Sequence, residues 1–132
     1  MVDLVCGAFD VVELACDPHR WRTEIEEWVA RHGGDKVLEY PTNVHSRMAP
    51  ATERFFSAVR DRRLTHDGDP ILTRHVLAAV TKPTQWGDTV QKDRRMSPWK
   101  IDAAVAGIIA VERAAWHRRQ PKPVSFVPRR IR

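Results

Sequence analysis

The sequence predicts an α/β protein with a small, partly parallel sheet. Three observations carry that prediction. A strand–helix–strand pattern comes early in the chain, helical patterns follow it, and no run of three antiparallel strands precedes it. The chain has 132 residues, room for one domain with its own core. With 42% apolar and 30% charged residues it has the composition of a globular chain and not of a disordered one.

Each element rests on a local signal. Residues 2–8 (VDLVCGA) read as a helix end or an irregular lead-in, and 11–16 (VVELAC) as a short buried strand, β-branched and mostly apolar. Asp17-Pro18 predicts a helix over 18–32, since Asp is favoured as N-cap and Pro at the first helical position. Trp21, Ile25, Trp28 and Val29 share one face of that helix, and Gly33-Gly34 ends it. Val37–Tyr40 (VLEY) is a second strand, closed by Pro41. A second helix is expected over 50–63, with Phe55, Phe56 and Val59 inward, and Asp69-Pro70 opens a third over 70–80. Residues 81–93 read as a hairpin or loop with Val90 in a strand, and Ser97-Pro98 opens a last helix over 98–116. No internal repeat occurs.

The net charge of +5 and a pI near 9.8 point to an anionic partner such as nucleic acid. The charge is unevenly placed. Residues 117–132 (HRRQPKPVSFVPRRIR) hold six of the 22 basic side chains and no acid, which leaves 16 basic against 17 acidic residues over 1–116. The division is therefore a near-neutral domain, 1–116, and a basic, proline-containing tail, 117–132, expected to be extended or disordered. Two cysteines, Cys6 and Cys16, make no disulfide framework and read as reduced thiols of a cytosolic protein. No apolar run approaches the ~18 residues of a membrane span, and the N-terminus lacks the basic region of a signal peptide.

Two carboxylates stand out. Asp17 lies where a strand ends and a helix begins, the edge of an α/β sheet where ligands bind, although Asp before Pro is also a common helix cap. Asp102 is the one charge in the run IDAAVAGIIAV (101–111). Buried there it needs a positive partner, near a helix N-terminus it is favourably placed, and otherwise it faces solvent. Ala103, Ala106 and Gly107 beside it would let another group approach closely. Lys92, Arg94, Arg95 and Lys100 form a basic segment just before it, read either as a solvated loop or as phosphate contacts. His66-Asp67-Gly68-Asp69 lacks the EF-hand ligand series and reads as a capping turn, while His75 has no zinc-spaced partner and reads as structural. The six glycines form no P-loop, and neither a serine hydrolase elbow nor a nucleophilic cysteine motif is present.

Taken in order, VVELACDPHRW (11–21), the helix ending in Gly33-Gly34, MAPATERFFSAVRDRRLTHDGDPILTRHVLAAV (48–80), Lys92 and WKIDAAVAGIIAVERA (99–114) resemble the C-terminal part of a tailed-phage terminase large subunit. The resemblance covers about residues 5–116, and KIDAAVA is its most specific piece. It implies a partial RNase H-like fold, a small mixed sheet flanked by helices, that cuts concatemeric viral DNA during packaging. It further implies a two-metal site for Mg²⁺ or Mn²⁺, with Asp17 matching the family's second acid and Asp102 its third. Lys92, Arg94, Arg95 and Lys100 would then face the DNA. Two such ions, ~3.5–4 Å apart, activate water and stabilise the leaving oxygen.

The resemblance also predicts departures. The family's ATPase domain and the opening strands that carry its first acid have no counterpart, and Asp3 and Asp10 do not match that motif. The expectation is a truncated large subunit, a prophage remnant or one half of a split gene, weak or inactive as a nuclease alone. It would work in the cytoplasm of a bacterial host on double-stranded DNA, with a missing N-terminal segment or other packaging proteins as partners and no membrane. Unpaired sheet edges would invite self-association. The alternative function is a non-catalytic DNA binder acting through the basic tail, or a structural remnant.

Overall fold

The computed structural model describes residues 1–121. The tail expected over 117–132 starts later than predicted, since residues 117–119 continue the last helix, and from residue 122 onward it lies outside the described residues. Helix α1 (Val2–Ala8) leads into strand β1 (Leu14–Cys16), helix α2 (Arg22–His32) and strand β2 (Val37–Glu39). β1 and β2 run parallel, Leu14 beside Val37 and Cys16 beside Glu39, with α2 as the crossover that a parallel pair requires. Gly33 ends α2 at φ +94°, a conformation open to glycine.

Helix α2 starts later than the sequence predicts. Asp17 does not cap it; its carboxylate accepts the His19 N–H at 3.1 Å and closes a local turn over Pro18 instead. Ile25 is buried, but Trp21 and Val29 stay substantially exposed, so the expected apolar face is covered only in part.

Helix α3 (His45–Arg60) begins five residues before Pro50, which sits inside it. Proline is favoured at a first helical position, but the turn before Pro50 carries Met48 and Ala49, whose burial favours helix there despite the lost N–H. Phe55 packs on the core, whereas Phe56 and Val59 are about half exposed. The inward face is instead Met48, Ala51, Thr52 and Ala58, small enough for another helix to come close.

Asp69 caps helix α4 (Pro70–Leu77) by accepting the Leu72 N–H at 2.7 Å, as its place before Pro70 predicts. The helix stops at Leu77, and Ala79 already belongs to strand β3 (Ala79–Thr84). β3 pairs antiparallel with β4 (Gly87–Lys92) through a tight turn in which Gly87 takes φ +108°. The expected hairpin is therefore present, but as a sheet of its own. Among the described residues there is no single mixed sheet, only two separate two-stranded ones.

Helix α5 (Asp102–Arg119) starts after Ser97-Pro98 and runs three residues past 116. It packs on α3, α4 and β1. A side chain at Gly107 would meet the Phe55 ring of α3 at 3.4 Å. The core gathers Tyr40, Met48, Ala51, Ile108 and Ile109, with Ala15, Leu38, Phe55, Val90 and Val105 packed against it. Large apolar side chains buried this fully contribute about 1.5–3 kcal/mol each. The mixed α/β class is as predicted, and among the described residues no helix is long and apolar enough to cross a membrane.

Candidate functional site

The core joins the C-terminal ends of β1 and β2, the hairpin and α5 around a cleft of about 1230 Å³. Asp17 lines it from the end of β1, and Asp102 lines it from the first residue of α5. The two carboxylates singled out in the sequence are thus brought to one cleft. The local settings differ. Asp17 is half-buried and held on both oxygens, by the His19 N–H and by the Thr42 hydroxyl. Asp102 is exposed in the first turn of α5, where the positive helix end favours a carboxylate. Its desolvation is therefore slight, because the apolar run places it at the helix start and not in the middle.

Of the four basic residues expected near the site, only Lys92 lines the cleft. Arg94, Arg95 and Lys100 lie exposed in the connection between β4 and α5, outside its lining. Lys82 of β3 joins Lys92 instead. Both lysines are half-buried, and among the described residues neither makes an ion pair. Lys82 gave no sequence signal, since its position depends on how the hairpin docks.

A third acid lines the cleft. Glu13 receives two hydrogen bonds from Arg113, at 2.6 and 2.7 Å, and lies 3.0 Å from the His117 ring nitrogen. The Arg113 donors hold the Glu13 carboxyl below its ordinary range, and Glu13 in turn raises Arg113. Arg113 also stacks over Trp116, 4.3 Å from the ring centre. This clamp ties the residue just before β1 to α5. Its sequence signal was a lone charge in the otherwise apolar strand VVELAC.

The other candidates take structural roles. Asp3 pairs with Arg31 and His32 of α2. His66-Asp67-Gly68-Asp69 is a turn closed by its own side chains. His75 Nδ1 accepts the Ala103 N–H at 3.0 Å and serves the start of α5, which no side chain of its own caps. Both cysteines are free, and burial pushes the Cys16 thiol up, away from nucleophilic use.

Among the described residues no group of three or more His, Cys, Asp and Glu side chains could hold a metal ion. The donor set that does line the cleft, two carboxylates with Glu13 already engaged, still fits Mg²⁺. That ion keeps several waters and takes one or two protein carboxylates beside substrate phosphate.

A family model described as terminase large subunit, endonuclease domain, matches residues 1–118. Two proteins of mycobacterial viruses, the Gene 13 proteins of Mycobacterium phage L5 and Mycobacterium phage D29, are each 31% identical over 112 residues. The match takes in 77% of this chain and 19% of each relative, so the chain spans about a fifth of their length. No solved structure matches.

Proposed function

The chain belongs to the family of terminase large-subunit endonuclease domains, and from that premise we propose that it is a metal-dependent DNA endonuclease domain of RNase H-like type. The observation that carries this reading is the meeting of Asp17 and Asp102 in one cleft with Lys82 and Lys92. Its substrate is double-stranded viral DNA handled during packaging, in the cytoplasm of a bacterial host and alongside other packaging proteins.

Asp17 and Asp102 would hold Mg²⁺ or Mn²⁺ through hard carboxylate oxygens. The bound metal supplies an activated water and stabilises charge on the phosphate under attack. Lys82 and Lys92 bind phosphate oxygens and offset the charge that develops there. Glu13 stays outside the ligand set because its charge is already balanced by the two-point ion pair with Arg113, with His117 as a third contact. With Asp17 and Asp102 as the only cleft carboxylates not engaged in an ion pair among the described residues, cleavage by this chain alone is weak.

Nicking of a supercoiled plasmid with Mn²⁺ tests the reading. Wild-type protein should nick slowly, and Asp17→Asn and Asp102→Asn should each lower the rate by about tenfold or more, since even the loss of a group that only supports a metal ligand costs about 10–100-fold. Equal nicking by all three proteins would mean that neither carboxylate serves the chemistry.

A further inference from the structure

We propose that Thr42 is a positioning residue that fixes the Asp17 carboxylate, an inference that rests on the metal-dependent reading of the same cleft. The parallel ladder brings the two residues together. Tyr40 N–H donates to the Cys16 carbonyl at 2.7 Å, one step beyond β2, so the ends of β1 and β2 stay in register. Asp17 follows Cys16 directly, and Thr42 follows Tyr40 across Pro41, whose ring fixes its own backbone angle.

Thr42 Oγ1 donates to Asp17 Oδ2, and His19 N–H donates to Asp17 Oδ1 at 3.1 Å. One donor on each oxygen means that rotating the carboxylate breaks both bonds. A carboxylate has about four acceptor positions, so two donors leave each oxygen a free one for a ligand. Threonine suits the task because its β-branch restricts the side-chain torsion that aims the hydroxyl. Asp102 has no such support: among the described residues no side chain donates to it. One carboxylate of the pair is thus preset and the other adjusts, and Thr42, which itself lines the cleft, does the presetting.

The test compares wild type with Thr42→Val, which keeps the shape and removes the donor, and Thr42→Ser, which keeps the donor. Two readouts are taken on the full chain: Mn²⁺ affinity by calorimetry, and NMR coupling constants that report the Asp17 side-chain torsion without metal. Thr42→Val should weaken Mn²⁺ binding about tenfold or more and give averaged Asp17 couplings, while Thr42→Ser stays close to wild type in both. Wild-type affinity and couplings in Thr42→Val would overturn the proposal. So would a Thr42→Ser as impaired as Thr42→Val, because the methyl group would then matter and not the hydroxyl. If wild type binds no Mn²⁺, the metal reading fails, and the couplings decide on Thr42: averaging in Thr42→Val alone sustains the positioning, and unchanged couplings refute it.

Discussion

Asp17 and Asp102 were legible as residues because each breaks a local pattern, an acid at a strand end and a lone acid in an apolar run. Their settings were not legible. The cap expected of Asp17 and the turn it forms both satisfy a nearby backbone N–H, and only the register of β1 against β2 adds Thr42 to the choice. Glu13 shows the same limit, since its partner Arg113 lies far along the chain and meets it only through folding. The clamp has a measurable consequence. Arg113 holds the Glu13 carboxyl below its ordinary value of 4.5 in the folded chain, so the folded protein keeps Glu13 ionised at pH values where the unfolded chain protonates it. The stabilisation is complete above the unfolded value and is lost as pH falls through the folded one. Thermal midpoints should therefore drop as pH is lowered from about 6 to about 3, and less steeply in Glu13→Gln. Parallel curves for the two proteins would remove Glu13 from the acid sensitivity.

At the scale of elements, starts and stops depended on how strongly a signal competed with packing. Asp69-Pro70 opens α4 as predicted because nothing upstream offers buried surface: residues 61–69 are exposed throughout. Pro50 does not open α3, because Met48 and Ala49 are wanted in the core one turn earlier. Ser97-Pro98 likewise gives way, and α5 begins at Asp102, where His75 supplies the acceptor that Ile101 cannot. That role makes His75 worth about as much as an N-cap, so His75→Ala should cost about 1 kcal/mol in a urea titration. No change in the midpoint would show that the Ala103 N–H finds water equally well.

For the whole molecule, the α/β class followed from the order of patterns, and the division into two small sheets did not. The sheet expected from the resemblance is one mixed sheet, while the described residues form a parallel pair and an antiparallel pair whose outer edges find no further strand. Pairing between distant strands is set by tertiary packing, which local periodicity does not encode. The charge is also a whole-molecule property. The cleft combines acids with two lysines, in keeping with a near-neutral body, while the excess positive charge belongs to residues 117–132. Under the proposed function that excess charge adds DNA affinity that falls steeply with salt without selecting a cut site. Whether the cleft holds a metal ion is decided by calorimetric titration of Mn²⁺ into wild type and Asp102→Ala. Wild type should bind saturably, and Asp102→Ala should lose that binding with the fold retained. Equal binding by the two proteins, or none by wild type, would contradict the metal-dependent reading.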